Sequence, residues 1–531
     1  MRKAILRIIK KSIGKNAPTF DVFIPEKDVF GHYSTNAALR LSKGKRKDPI
    51  KTARELIPEI ESAAPKGFFE KVEAAPPGFI NFWLSRQTLQ DELKKIAKSG
   101  AKYGHSAVGK NKRIQVEFVS ANPTGPLTLA NGRGGFLGNV LSNLLEFTGH
   151  KVEREYYVND AGGQILTLGK SILAAAGEMP WEESFYKGEY IKKWAAKRKT
   201  IVKKHAASPM KLGQLAARDF LVDIKNVLSR KAGIKFDRWT SEEKDVRKKR
   251  LPEAVLKMFK SKKLIYEKDG AIWLKTSEFG DDKDRVLLTS DGNATYFLVD
   301  AGHYLETKNR GFQGKILILG PDHYGYVKRI QAVAKTVGIK DSQVIITQAI
   351  LLMRKGKLFK ISKRRGEFVT FEGLVDEVGV DAARFFMLSV TPATHMNFDL
   401  GLAKEKSMKN PVYYAQYAYV RAKNILNKTR ESEKAGFKFL PLLTSEADSR
   451  LIRVLVRFPE VLADAAASRE MHRLTQYAGE LAAAFHNFYE KERVLQEEPQ
   501  LRSARLLLVR ASVIVMTNLF KILGISRPDK M

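Results

Sequence analysis

The sequence predicts an α/β fold: a doubly wound parallel sheet preceded by a small α/β domain and followed by a helical bundle. Three observations predict it. Short β-type runs at Val116–Val119, Glu155–Val158, Ile316–Leu319 and Val344–Ile346 are separated by helical segments, the alternation of parallel crossover units. The stretch Val116–Asn139 (VEFVSANPTGPLTLANGRGGFLGN) reads as strand, turn cluster, glycine-dense segment and helix. From about residue 401 apolar residues recur at helical spacing, in Tyr413–Leu426, Leu451–Ala465 and Leu501–Leu523.

Residues 1 to about 105 make the first domain. Tyr33-Ser-Thr-Asn starts a capped helix, Ala53–Ile60 is a second helical run, and Phe79–Leu84 alternates as a strand after the turn Pro76-Pro77-Gly78. Residues 106–400 hold the sheet, whose ligands bind at the carboxyl ends of strands. Three such ends are polar: Ser120-Ala-Asn122, Asn159-Asp160-Ala-Gly-Gly-Gln164 and Gly320-Pro-Asp322-His323. Between about 165 and 285 the chain turns helical and lysine-rich, which predicts a helical insertion interrupting the sheet. Residues 401–531 form the helical domain.

Strand, glycine-rich turn and helix together bring backbone N–H groups and a positive helix end to phosphate. Neither nucleotide fingerprint fits, since no lysine follows the glycines and the G-x-G-x-x-G spacing fails, so the stretch indicates an anion site without naming it. The glycine-bounded loop Gly356–Gly366 (GKLFKISKRRG) can carry Lys360 and Lys363 over a triphosphate and neutralise pyrophosphate as it leaves.

At 531 residues the chain predicts two to four domains, and 44% apolar with 28% charged residues is an ordinary globular composition. Net charge is +35, spread along the whole chain, which points to a broad surface for a polyanion, nucleic acid or an anionic membrane. No run approaches the ~20 apolar residues of a membrane span, and LLLVRASVIVM is cut by Arg510. The opening MRKAILRIIKKSIGK reads as an amphipathic helix, short of the apolar core and cleavage site of a signal peptide. Absence of cysteine excludes disulfides and thiolate chemistry, and the nine histidines are scattered without metal-ligand spacing, so no metal site is expected.

KISKR resembles the KMSKS motif of the class I aminoacyl-tRNA synthetases, and SANPTGPL…GRGGFLGN resembles the surround of their HIGH motif. Within that class the likeness is to the arginyl-tRNA synthetases and spans essentially the whole chain. GHYSTNAALRLSK and PPGFINFWLS resemble their N-terminal domain. EYYVNDAGGQI, YKGEYI, TYFLVDAGHYL and GPDHYGYVKRI resemble the catalytic core, and NPVYYAQYAYVRAKNIL with LFKILGISRPDKM the anticodon-binding helices. The resemblance implies a Rossmann-like catalytic domain that activates arginine with ATP, presented with Mg²⁺, to arginyl-adenylate and pyrophosphate. Transfer to the 2′-hydroxyl of the terminal adenosine of tRNA(Arg) then releases AMP. It further implies tRNA binding before activation, no tightly bound cofactor, no membrane, a monomer and a cytoplasmic location.

By the same resemblance, Lys360, Ser362 and Lys363, with Thr128 and Asn131, hold the catalytic positions. Pro126, Leu127, Thr128, Asn131, Gly132 and Gly134 join the two lysines in holding ATP. Ser120 and Asn122 hold the ends of the amino acid, with Asn159, Asp160, Gln164 and His323 completing the pocket. Glu242, Asp300 and Tyr296 face the guanidinium, whose planar fork is matched by carboxylates. Phe79 and Asn81 match D-loop contacts, and Tyr414, Tyr417, Arg421 and Met531 match anticodon contacts. One departure stands out: the family's His-x-Gly-His is Thr128-Leu-Ala-Asn131 here. Threonine and asparagine donate hydrogen bonds but carry no charge, and Ala130 adds a methyl where glycine leaves room for nucleotide. Three readings stay open: an active arginine–tRNA ligase, a tRNA-binding paralogue that no longer activates, and a synthetase for another amino acid.

Overall fold

The alternation of apolar runs and helices closes into one five-stranded parallel sheet. This computed structural model describes residues 1–14, 17–45, 47–354, 356–358, 369–429 and 433–531. The strands lie in the order Asp341–Ile346, Gly314–Leu319, Arg113–Glu117, Lys151–Val158, Arg238–Ser241. Chain order therefore reverses between the first strand, Arg113–Glu117, and the fourth, Gly314–Leu319, which is the ligand-binding switch point of such sheets.

Three of the strands contain the β-type runs Glu155–Val158, Ile316–Leu319 and Val344–Ile346, and Arg113–Glu117 takes only the start of the run Val116–Val119. The fifth, Arg238–Ser241, falls inside the interval 165–285 that reads as a helical insertion, and this corrects that expectation. The interval is helical in Gly163–Ala175, Glu189–Lys197, Lys199–Lys204 and Pro209–Asn226. Beyond the strand and the helix Leu251–Ser261, a small antiparallel sheet follows, built from Ile265–Lys268, Ala271–Leu274 and Arg285–Leu288. Four-residue strands with polar faces carry too little periodicity to stand out in a lysine-rich stretch.

Helix Leu129–Phe147 packs on the sheet through the core that holds Val116, Phe118, Tyr156, Ile316 and Ile318. Its approach is close because Gly138 has no Cβ: one would lie 2.2 Å from the Phe118 ring. Buried Arg384 joins this helix to the end of the chain, donating to Asn139 Oδ1 at 2.7 Å, Ala232 O at 2.5 Å and Leu523 O at 3.4 Å. Burial pushes its guanidinium down to about 10.

The first domain is an antiparallel sheet ordered Val22–Phe23, Tyr33–Thr35, Phe79–Leu84, Phe69–Ala75 and backed by helices. It docks on the helical domain, where Arg2 pairs with Asp464 at 2.6 Å and Tyr33 OH donates to Glu460 at 3.1 Å. The main helices of that domain are Pro411–Asn427, Glu446–Val456, Phe458–Ser468, His472–Lys491 and Pro499–Leu523. Among the described residues, only Pro499–Leu523 is long and apolar enough to cross a membrane, but 72% of its most apolar stretch is buried inside the protein. It is a bundle helix, packed on Pro411–Asn427 and His472–Lys491.

Candidate active site

A cavity of about 780 Å³ opens at the carboxyl ends of the first and fourth strands. The chain leaves the first strand through Val119 at φ +69° and Ser120 at φ +37°. A β-branched residue in the left-handed region is strained, and such strain collects where a site must be held in shape. Hydrogen bonds hold the turn: Ser120 Oγ accepts from Tyr157 N at 3.1 Å and donates to Glu117 Oε1 at 3.3 Å. Asn122 follows on the rim, where its Oδ1 accepts from Asn159 Nδ2 at 2.8 Å. Ser120, Asn122 and Asn159 all line the cavity, as do Glu242, Tyr296, Asp300 and His323.

Four carboxylates line the cavity: Asp322, which is exposed, and Glu117, Glu242 and Asp300, which lie close enough to act on one another. Glu117 pairs with Lys315 at 2.8 Å and Glu242 with Arg247 at 2.7 Å. Asp300, on helix Tyr296–Asn309, accepts from Tyr326 OH at 2.5 Å and has no Lys or Arg at ion-pair distance among the described residues. Enclosure by protein pushes its carboxyl up to about 6; the Tyr326 hydrogen bond opposes this, and Glu117 and Glu242 reinforce it. Tyr296, the first residue of the helix, is 73% exposed at the mouth.

The Thr128-Leu-Ala-Asn131 segment is a helix start. Thr128 is the N-cap of Leu129–Phe147, and its hydroxyl accepts from Asn131 N at 3.3 Å. Asn131 Oδ1 accepts in return from Thr128 N at 2.9 Å and from the Thr128 hydroxyl at 2.8 Å. This reciprocal capping box satisfies donors that open the helix. Pro126, Thr128, Ala130, Asn131 and Gly134 line the cavity.

Several expected positions lie elsewhere. Leu127 is buried off the cavity wall, and its carbonyl accepts from Phe371 N at 2.9 Å. Gly132 faces the Phe371 ring, where a Cβ would stand 2.1 Å from Cδ2, so its bare backbone admits an aromatic ring rather than a nucleotide. Asp160 is a clamp between strand ends, accepting from Ser241 Oγ at 2.6 Å and Glu243 N at 3.0 Å. Gln164 braces the rim by donating to Asn159 O at 3.2 Å. Lys360, Ser362 and Lys363 lie outside the described residues; the chain resumes at Val369, and Thr370 bridges Thr128. Cavity residues that sequence reasoning missed include Glu117, Tyr157, His303, Tyr304 and Tyr326. For Glu117 a signal exists, an acid inside the apolar run Ile114–Phe118.

Three family models cover most of the chain. Residues 1–84 match the arginyl tRNA synthetase N terminal domain, 92–389 the catalytic domain of tRNA synthetases class I (R), and 415–531 the DALR anticodon binding domain. The arginine–tRNA ligase of Thermotoga maritima is 39% identical over 554 residues, covering 100% of this chain and 99% of that protein. The chain belongs to the arginyl-tRNA synthetase family. The arginine–tRNA ligase of Citrifermentans bemidjiense is also 39% identical, over 97% of this chain and 95% of its own. The arginyl-tRNA synthetase structure from Thermus thermophilus superposes with a TM-score of 0.78 over 100% of both chains, a likeness of fold at 21% identity.

In the segment matching the family's anticodon-binding domain, Tyr417 and Arg421 join in one surface cluster. The Arg421 guanidinium lies over the Tyr417 ring at 4.3 Å and the Tyr489 ring at 4.6 Å, and donates to His486 Nδ1 at 3.2 Å. Tyr489 is 40% exposed and had no signal beyond its helical spacing. Tyr414, expected on the same face, turns inward against the His486 ring at 4.6 Å. Met531 is exposed. In the first domain Phe79 is half-buried and packs edge-on against Phe23, whereas Asn81 is only 4% exposed within its strand, which departs from the expected surface contact.

Proposed function

We propose that this member of the family is an active arginine–tRNA ligase, and the observation that carries the reading is Asp300. A half-buried carboxylate with no Lys or Arg paired to it among the described residues, beside Glu117 and at the switch point of a parallel sheet, is a complement for a guanidinium. Arginine enters with its fork towards Asp300 and Glu117, while Ser120 and Asn122 hold its α-amino and carboxylate ends at the rim. The carboxylate then faces the start of helix Leu129–Phe147, where ATP, delivered with Mg²⁺ as substrate, lies along Pro126, Thr128, Asn131 and Gly134.

Catalysis needs no nucleophilic side chain. The arginine carboxylate attacks the α-phosphate in line, the bond to the β-phosphate breaks, and pyrophosphate leaves towards Lys360 and Lys363. The 2′-hydroxyl of the tRNA's terminal adenosine next attacks the adenylate carbonyl, and AMP departs. Positioning and charge stabilisation supply the rate. Because the Thr128 and Asn131 side chains are engaged in capping, the free amides of the helix start and the two lysines take over the work of the absent histidines. The net charge of +35 and the Tyr417–Arg421–Tyr489 cluster support tRNA as partner, its unpaired bases stacking on the rings. We take the protein to act as a monomer in the cytoplasm, where tRNA is charged.

ATP–pyrophosphate exchange with arginine, run with and without tRNA(Arg), tests this reading. Arginine-dependent exchange is expected when tRNA is present. No exchange in either condition would leave a tRNA-binding protein without activation.

A further inference from the structure

Glu117 and Glu155 are register partners on adjacent parallel strands, so two carboxylates stand side by side on one face of the sheet. Buried like charges in direct opposition destabilise a sheet unless a cation compensates them. The strand on the other side of Arg113–Glu117 supplies one. Lys315, the partner of Gln115, is wholly buried and places Nζ 2.8 Å from Glu117 Oε2 and 3.4 Å from Glu155 Oε2. It also donates to Gln115 Oε1 at 2.7 Å and lies 3.4 Å from His303 Nε2. Glu117, Glu155 and His303 bring their ligand atoms within 4.8 Å of one another, a spacing that suits a divalent cation. An ammonium stands among them instead. Burial alone would pull that ammonium's proton affinity down, but Glu117 and Glu155 raise it above the ordinary lysine value, so it stays charged at neutral pH.

We propose that Lys315 is the positioning residue of the arginine subsite: it clamps Oε2 of Glu117 and cancels the charge of that wall, leaving Asp300 as the carboxylate that needs a cation. This rests on the functional reading above and deepens it. Asp322 is exposed to water, and of the other three wall carboxylates two already have cations, Lys315 for Glu117 and Arg247 for Glu242. The pocket is therefore built for a further cation whose fork reaches Asp300 and the Oε1 edge of Glu117, which accepts from Ser120 Oγ at 3.3 Å and has no cation of its own. Without Lys315, Glu117 loses the ammonium that clamps its Oε2, whether or not Glu155 keeps its charge.

The test is ATP–pyrophosphate exchange in the presence of tRNA(Arg) for the parent protein, Lys315→Met, and the double variant Lys315→Met/Glu155→Gln. The double variant removes opposite charges together and keeps the protein folded where the single change does not. In each folded variant KM for arginine is expected to rise about tenfold or more, with kcat and KM for ATP within about twofold of the parent. A KM that is unchanged, or that falls because only charge was altered, overturns the inference. A parent without arginine-dependent exchange overturns the functional reading and this inference with it; an active parent with an unmoved KM in the variants overturns this inference alone.

Discussion

Asp300 holds its proton more tightly than an exposed aspartate because it is enclosed by protein beside two other acids. The sign of the pH effect follows. Only the ionised carboxylate pairs with a guanidinium, and in the free protein the carboxyl is half ionised at about 6 and loses its charge as pH falls below that. Initial rates at limiting arginine should therefore fall below pH 6, approaching about tenfold per pH unit. Asp300→Asn should lower kcat/KM for arginine by about a hundredfold or more and abolish that acid limb from the residual activity. Asp300 was legible in the sequence because an acid directly after Phe297-Leu-Val seldom points to water. Asp160 and Gln164 read the same way at another strand end, yet Ser241, Glu243 and Asn159 occupy their polar atoms. Those partners come from another strand and from the geometry of the rim.

At the scale of elements, helix Leu129–Phe147 separates two uses of glycine. Gly132 is filled by Phe371, whereas a Cβ at Gly134 meets only Ile318 Cγ2, at an ordinary 3.7 Å, on the cavity side. Gly132→Ala should cost about 1–3 kcal/mol through overpacking, read as a lower midpoint in urea unfolding. Gly134→Ala should be neutral or gain up to about 1 kcal/mol in helix propensity while raising KM for ATP. A stable Gly132→Ala protein with raised KM for ATP would reverse the assignment. In the helical domain, Tyr417→Ala and Arg421→Ala each remove part of a stacking surface worth about 1–3 kcal/mol per base. Filter-bound charging assays should show a raised KM for tRNA(Arg), with KM for arginine unmoved.

At the scale of the molecule, the charge of +35 and the enclosed pocket should respond differently to salt. Phosphate contacts are exchanged for counterions, so log KM for tRNA should rise linearly with log salt concentration. A guanidinium paired with half-buried Asp300 inside the cavity is screened less than phosphates on the surface, so KM for arginine should move less than about twofold between 50 and 200 mM salt. Parallel slopes for the two substrates would count against an enclosed pocket. The docking of the first domain on the helical domain, through Arg2, Tyr33 and Glu460, gives the polyanion one continuous protein to contact.

Local sequence determined what local physics decides: the apolar strand runs, the helix periods and the acid at Asp300. The strand Arg238–Ser241 escaped because four residues of mixed polarity gain their identity only by pairing with Lys151–Val158. Glu117 is marked by its apolar neighbours, but nothing local links it to Glu155 or Lys315. Only the parallel register brings them together, 2.8 and 3.4 Å from ammonium to carboxylates, in a buried layer no single strand specifies. The glycines near 132 suggested a phosphate cradle, and the tertiary structure gave Gly132 to Phe371, because what fills the space beside a bare backbone is chosen by the neighbouring element.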